Sequence, residues 1–154
     1  MQRLITVIAA VLVSVSLMGQ GDGGAPGDKT LRVGADASAD FFIPYKGPVP
    51  VSAGLGVRVR YGRPDQLFNA VGGVRYIYGS RLSGFQVPLL VNLNLVRTGT
   101  LSAYIGGGYE FDFIGTYYGA AKAQAGLLLG HHMDFRVFYK PYQADLGLGF
   151  TYYF

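Results

Sequence analysis

The chain has 154 residues, of which only 14% are charged, with a formal net charge of +4 and no cysteine. This length suits a single domain, the lack of cysteine excludes a disulfide framework or a cysteine metal site, and the small basic excess forms no stripe suited to nucleic acid. Glycine contributes 24 residues, tyrosine 12 and phenylalanine 10, a composition that disfavours helices and favours β-strands.

The first residues have the pattern of an export signal. A positive charge at Arg3 precedes a run of apolar and small residues from Leu4 to Met18. This run is shorter than the roughly 20 residues that a membrane-spanning helix needs, but it suits the apolar region of a signal peptide. We predict a cleaved signal peptide over residues 1–21, a flexible segment over 22–30 and one folded domain over 31–154.

From Leu31 onward, apolar and polar residues alternate in segments of about ten residues, separated by turns. Strict alternation is typical of strands with two unlike faces. An even number of such strands can close on itself as an up-and-down barrel. The sequence therefore predicts an all-β fold, an eight-stranded antiparallel up-and-down transmembrane β-barrel. The eight segments span 31–41, 51–61, 68–78, 85–95, 101–113, 121–129, 135–140 and 146–154.

Three local features qualify this pattern. Pro88 lies inside the fourth segment, where it must remove a ladder hydrogen bond or sit at a bulge, since a closed barrel has no edge strand. A stretch rich in glycine and tyrosine predicts a loop over 114–120. His131 and His132 fall in a turn predicted over Gly130–Asp134. Adjacent residues of an extended chain point to opposite sides, so we interpret the pair as part of an ordinary turn and predict no metal site.

The composition of the two faces indicates which one meets lipid. The second face is mostly Gly, Ser, Asn and Gln with one or two charges per strand, too few for a solvated exterior but suited to a packed polar lumen. No later run approaches the roughly 18 apolar residues of a spanning helix, and only helices and closed barrels satisfy the backbone in lipid. Aromatic residues also fall near both ends of the strands, as expected at two bilayer interfaces. They are Tyr61, Phe68, Phe135, Tyr152 and Phe154 at one rim, and Tyr78, Phe85, Phe111, Phe113 and Tyr139 at the other.

The last segment carries the most specific motif. Its apolar residues alternate to a terminal phenylalanine, with Gly149, Tyr152 and Phe154 in place. This resembles the C-terminal assembly signal of outer-membrane proteins, although Gly147 stands where that signal usually has a polar residue. The resemblance implies that the barrel-assembly machinery binds the C-terminal strand, and that the protein resides in the outer membrane with its lipid as a partner.

Two further segments, Phe85–Leu90 and Ala103–Gly108, resemble strands of the outer membrane protein beta-barrel domain family. This group contains small barrels similar to OmpX, the OmpA membrane domain and PorT-like proteins. The resemblance covers nearly all of the chain after the predicted signal peptide, and it implies that Pro88 is tolerated. The family as a whole implies no single activity.

Charged residues predicted to face inward form the candidate site. The network interpretation holds that they pair with one another and fill the lumen, because buried charges need partners. The alternative is a gated ion path, which we consider weaker because an eight-stranded barrel is just wide enough to be filled by side chains. Seven of these residues are predicted to converge in one half of the barrel: Asp40, Arg75, Glu110, Asp112, Lys122, Lys140 and Asp145. Others on the same face are Asp36, Arg58, Arg60 and Arg136.

The sequence indicates little about activity. Gly106–Gly108 lacks the Lys-Ser/Thr signature and following helix of a phosphate-binding loop, and no Ser/His/acid set stands at a membrane edge. We therefore predict no enzyme and no cofactor. The leading hypothesis is a non-enzymatic structural, adhesive or interaction role, with the extracellular or periplasmic partner unknown. The alternatives are a narrow channel or transporter for small solutes or ions, and a soluble periplasmic β-barrel that binds a lipid.

Overall fold

The computed structural model describes residues 31–63, 66–79, 83–98, 100–114 and 116–154. The signal peptide predicted over 1–21 and the flexible segment predicted over 22–30 lie outside these residues. The described residues form eight strands and one short 3-10 helix, and they contain no helix long and apolar enough to cross a membrane. The strands are β1 (Leu31–Phe42), β2 (Val51–Tyr61), β3 (Phe68–Gly79), β4 (Gly84–Arg97), β5 (Leu101–Ile114), β6 (Thr116–Leu129), β7 (Met133–Lys140) and β8 (Asp145–Tyr153), and the 3-10 helix η1 is Pro141–Gln143.

Each strand pairs antiparallel with its neighbours in the chain, and β1 pairs with β8, so that the sheet closes as a barrel. This confirms the predicted all-β, eight-stranded antiparallel closed barrel. We call the end that carries Leu31 and Phe154 the terminal end; the β2–β3, β4–β5 and β6–β7 connections lie there. The opposite end, which carries the other four connections, is called the loop end.

The predicted loop before β6 and the predicted turn after it are both too long. Strand β6 begins at Thr116 rather than Ala121, because its first residues pair with β5 from Ile114–Thr116 onward and so continue the ladder. The turn after β6 ends at His132 rather than Asp134. It is short because both Gly130 and His131 adopt positive φ angles, 56° and 65°, which reverse the chain quickly. Asp134 therefore belongs to β7.

Pro88 interrupts one ladder of the barrel without shifting it. Strands β3 and β4 pair at Gly72–Leu89 and again at Arg75–Gln86 in the same register, and the two positions between them are unpaired. On its other side, Pro88 pairs with Glu110 of β5. The proline therefore interrupts the pairing of β3 with β4 at this point and does not form a bulge. The register shift in β4 lies elsewhere, between Asn94 and Val96.

The two faces of the barrel have opposite chemistry. Arginine, lysine, aspartate, asparagine and glutamine side chains are buried inside, whereas the outward positions expose leucine, valine, isoleucine, tyrosine and phenylalanine. Leu55 is 71% exposed, while Arg58, three residues later, is 2% exposed. Because side chains alternate across a strand, the sequence pattern leads directly to a polar interior and an apolar exterior.

Candidate functional site

The structure brings the seven charged residues predicted to converge into one buried cluster in the loop-end half of the lumen. They come from β1, β3, β5, β6, β7 and β8, whose side chains meet only because the sheet is closed. All seven are buried. We call this cluster the loop-end network: Asp40, Arg75, Glu110, Asp112, Lys122, Lys140 and Asp145.

Glu110 is the hub of the loop-end network. Lys122 Nζ lies 2.6 Å from its Oε2, and Arg75 Nη2 and Lys140 Nζ lie 3.2 and 3.1 Å from its Oε1. Lys140 also contacts Asp145 at 3.3 Å and Asp40 at 3.4 Å, and Arg75 contacts Asp40 at 3.2 Å. Each cation of the network therefore has a carboxylate partner, as buried charges require.

Asp112 is held differently from the other acids of the loop-end network. Among the described residues it forms no ion pair. Its carboxylate accepts hydrogen bonds from Gln86 Nε2 at 2.5 Å and from Gln143 Nε2 at 3.0 Å. Gln143 belongs to η1, so this contact ties the β7–β8 connection to the lumen. Gln86 also accepts a hydrogen bond from Arg75 Nε at 2.7 Å, which joins Asp112 to the charged hub.

An aromatic ring lies beside the loop-end network. Phe138 is buried in the lumen, with Lys122 Nζ 4.0 Å and Arg75 Cζ 5.0 Å from its ring centroid, distances at which cations are attracted to an aromatic face. Gly147 pairs with Phe138 across β7 and β8, and a Cβ at Gly147 would collide with the ring. The Phe138 ring thus occupies the space that any larger side chain at position 147 would need.

The terminal half of the lumen contains a second charged set. Arg136 Nη2 donates to Asp36 Oδ1, Arg136 Nη1 donates to Thr151 Oγ1 at 2.7 Å, and Thr151 Oγ1 donates to Asp36 Oδ1 at 2.6 Å. A Cβ at Gly149 would lie 2.6 Å from Cζ of Arg136. The glycine of the predicted assembly signal thus leaves the space that the Arg136 guanidinium occupies.

A second acid of this half, Asp134, lies near Tyr104 and Arg58. Tyr104 Oη donates to Asp134 Oδ1 at 2.6 Å, and Arg58 Nε lies 4.0 Å from Asp134 Oδ2. The predicted turn over Gly130–Asp134 places Asp134 outside a strand, and the predicted set of inward charges lacks Arg32, which is buried. Strand alternation could have identified both residues. Asp134 lies two residues before Arg136 and so shares its inward face, and Arg32 lies between the apolar residues Leu31 and Val33.

A chain of amide side chains crosses the lumen from Arg58 to the terminal end. Arg58 Nη2 donates to Gln124 Oε1 at 3.0 Å. Successive amides then donate to one another, Gln124 to Asn92 at 2.6 Å, Asn92 to Asn69 at 3.0 Å and Asn69 to Asn94 at 3.0 Å. Because an amide can donate and accept at the same time, these side chains connect β2, β6, β4 and β3 across the lumen by hydrogen bonds instead of ion pairs.

The remaining predicted positions lie at the terminal rim. Tyr152 and Phe154 of the predicted assembly signal are exposed, and the Tyr152 ring lies 5.9 Å from the rings of both Phe154 and His132. His132 Nδ1 donates a hydrogen bond to the Tyr153 carbonyl oxygen at 2.8 Å. The carbonyl of His131 accepts a hydrogen bond from Arg32 Nη1 at 2.6 Å. Within the described parts of the chain, no group of three metal-ligating side chains is arranged to hold an ion.

The sequence matches no protein-family model and no curated protein. The features that characterise the described part of the chain are the closed eight-stranded barrel, its charged lumen and its apolar outer face.

Proposed function

We propose that this chain is an integral outer-membrane β-barrel protein with a sealed lumen and a non-enzymatic structural, adhesive or interaction role. The observation that carries the proposal is the combination of an apolar outer face with an ion-paired interior. A barrel dissolved in water gains stability by the opposite arrangement, because apolar surface is stabilised by removal from water.

The outer face supports contact with lipid. Among the described residues, large apolar side chains are exposed on every strand except β1. On β6 the exposed large side chain is Leu127, and alanines occupy the outward positions Ala121, Ala123 and Ala125. Monomeric soluble proteins rarely expose a continuous apolar patch of more than a few hundred Å². Aromatic side chains are exposed near both ends of the strands, with Tyr78 and Phe113 at the loop end and Tyr61, Phe68 and Phe135 at the terminal end. Two such girdles are expected at bilayer interfaces.

The lumen supports a sealed barrel rather than a channel or a lipid carrier. Glu110 and Lys140 are 0% exposed, and the amide chain and Phe138 occupy the space beside the loop-end network. Eight strands leave an interior just wide enough for side chains to fill. A lipid carrier of the soluble class needs apolar lining inside, whereas this interior presents ion pairs to any acyl chain.

The connections define how much surface a partner can reach. The β1–β2 connection, residues 43–50, is the longest between consecutive strands, and its Tyr45 is 98% exposed. Tyr142 of η1 is 83% exposed at the same end. A partner at the loop end would therefore contact a small patch around these two tyrosines and Lys46, rather than an extended loop surface.

Two arginine substitutions on one strand test the membrane proposal. Leu55 lies midway along the outer face of β2, and Val51 lies on the same face at its loop-end limit. An arginine at mid-membrane depth costs about 2–4 kcal/mol, against about 0–1 near the interface. We expect Leu55→Arg to lower the unfolding free energy in lipid vesicles far more than Val51→Arg.

Cell fractionation accompanies this test. The wild-type protein is expected to pellet with outer membranes and to migrate differently on a gel when it is boiled, as folded barrels do. Equal tolerance of Leu55→Arg and Val51→Arg, with the protein in the soluble fraction, would reject the membrane proposal and favour the soluble lipid-binding barrel.

Planar-bilayer recording separates the sealed barrel from the channel. We expect no discrete conductance steps from the wild-type protein. Reproducible steps that are reduced by Arg75→Ala or Lys122→Ala would favour the narrow channel or transporter instead.

A further inference from the structure

Arg60 has an unusual position in the terminal half of the lumen. It is the residue before the last of β2, it pairs in register with Arg32 of β1, and it follows Arg58 on the same inward face. Three arginines thus face one region from two adjacent strands. The two acids of this half are already engaged, Asp36 by Arg136 and Asp134 by Tyr104 with Arg58 close by.

Arg60 is buried, and two of its three guanidinium nitrogens lack a hydrogen-bond partner among the described residues. The side chain is 2% exposed, and its Nε and Nη2 atoms have no hydrogen-bond partner among the described residues. It also forms no ion pair with them. A guanidinium in this state is costly, because a charge removed from water needs compensating hydrogen bonds or an opposite charge.

A second unpartnered donor faces the same region. Tyr153, the last residue of β8, is 0% exposed, and its hydroxyl has no hydrogen-bond partner among the described residues. Gly34 of β1 pairs with Arg58 on one side and with Tyr153 on the other, and Arg32, two residues before Gly34, pairs with Arg60. Arg60 and Tyr153 therefore occupy inward positions on the two strands that flank β1, near its terminal end. In the described chain, this half of the lumen contains four arginines (Arg32, Arg58, Arg60 and Arg136) but two acids, Asp36 and Asp134.

We propose that Arg60 and Tyr153 form a binding site for a phosphate-class oxyanion at the terminal mouth of the barrel. Arginine presents its N–H groups as a planar fork that matches phosphate and carboxylate oxygens, and the tyrosine hydroxyl adds another donor. Arg32 and Arg58 add positive potential that attracts an anion. A tetrahedral phosphate can accept from several directions at once, which suits donors that come from opposite ends of the chain.

The site is close to the barrel mouth. Arg60 and Tyr153 are each within one residue of the terminal end of their strands, so a ligand that enters at this end does not need to pass the loop-end network. The phosphate could be free in solution or belong to a lipid headgroup at the rim. Binding of a free phosphate depends on the lumen alone and does not rest on the membrane proposal, whereas binding of a lipid headgroup does.

The test uses the full chain after export, folded in micelles of a nonionic detergent and titrated by calorimetry with inorganic phosphate at low ionic strength. We expect saturable binding by the wild type and a loss of about tenfold or more in affinity for Arg60→Gln, because a charge-assisted hydrogen bond contributes roughly enough for such a factor. Tyr153→Phe is expected to weaken binding by a smaller factor. Arg97→Gln is the matched control, because Arg97 is an exposed arginine at the same end of the barrel.

A parallel titration replaces inorganic phosphate with phosphatidylglycerol added to the micelles, with protection against thermal unfolding as the readout. Binding of inorganic phosphate that depends on Arg60 assigns the site to a free anion. Protection by phosphatidylglycerol alone, again dependent on Arg60, assigns it to a lipid headgroup. If neither ligand binds, or if Arg97→Gln reduces binding as much as Arg60→Gln, the proposed site is wrong.

Arg60→Lys covers the case in which Arg60→Gln does not fold. Lysine keeps the positive charge but lacks the fork of the guanidinium, so we expect this variant to bind phosphate more weakly than the wild type. Unchanged affinity in both Arg60→Lys and Tyr153→Phe would overturn the proposal.

Discussion

The two halves of the lumen solve the problem of buried charge differently. In the loop-end network, each of the three cations contacts at least one carboxylate, and Glu110 contacts all three. In the terminal half, Asp36 and Asp134 are engaged by other groups, and Arg60 keeps two guanidinium nitrogens without a partner among the described residues. Strand alternation places polar residues inside in both halves. The ratio of acids to bases then differs between the halves, because the loop-end network has four acids for three cations whereas the described part of the terminal half has two acids for four arginines.

The largest expected effect on stability comes from removing the carboxylate of Glu110. Glu110→Gln leaves the buried Arg75, Lys122 and Lys140 with fewer carboxylate contacts, and breaking a buried ion pair costs about 3–5 kcal/mol. We expect the unfolding free energy in urea to fall by about this amount.

Asp112→Asn is the matched control for this change. It removes the same charge two residues away on the same strand, but Asp112 is held by Gln86 and Gln143 rather than by a cation. Its cost should be about 1 kcal/mol, the scale of one altered hydrogen bond. Equal losses in the two variants would mean that the ion pairs at Glu110 contribute nothing beyond their hydrogen bonds.

A smaller effect is expected where the lumen is most tightly packed. Gly147→Ala places a Cβ against the Phe138 ring, and overpacking of this kind costs about 1–3 kcal/mol. The ring would have to leave its contacts with Lys122 and Arg75. The urea unfolding midpoint of the single variant measures the loss.

The double variant Gly147→Ala with Phe138→Ala identifies the cause of that loss. If the clash with the ring is responsible, the double variant is less destabilised than the sum of the two single variants. Strict additivity would show that glycine is needed at position 147 for the backbone alone.

The smallest effect on stability is expected in the terminal half. Arg60→Gln removes a buried charge whose Nε and Nη2 have no partner among the described residues, so in phosphate-free buffer its unfolding free energy should change by less than about 0.5 kcal/mol or should rise. The measurement is urea unfolding beside Glu110→Gln under identical conditions. A loss comparable to that of Glu110→Gln would mean that Arg60 is as well compensated as the loop-end network.

Several features of the fold followed from local pattern. Period-two alternation predicted eight strands and the inward position of residues such as Arg75 and Glu110, because successive side chains of a strand point to opposite faces. It also predicted which residues the structure brings into the loop-end network. It failed over 116–120, where glycine and tyrosine suggested a loop and pairing with β5 forms the start of β6 instead.

The sequence by itself determined the number of strands, the faces of their residues and the polar nature of the lumen, since these depend only on alternation and composition. The tertiary structure alone decided which charge meets which. Arg136 and Asp36 are separated by 100 residues, as are Lys140 and Asp40, and they meet because β1 closes the sheet against β8. Partner choice depends on register, closure and the space left by Gly147 and Gly149, and these are properties of the closed barrel rather than of any one strand.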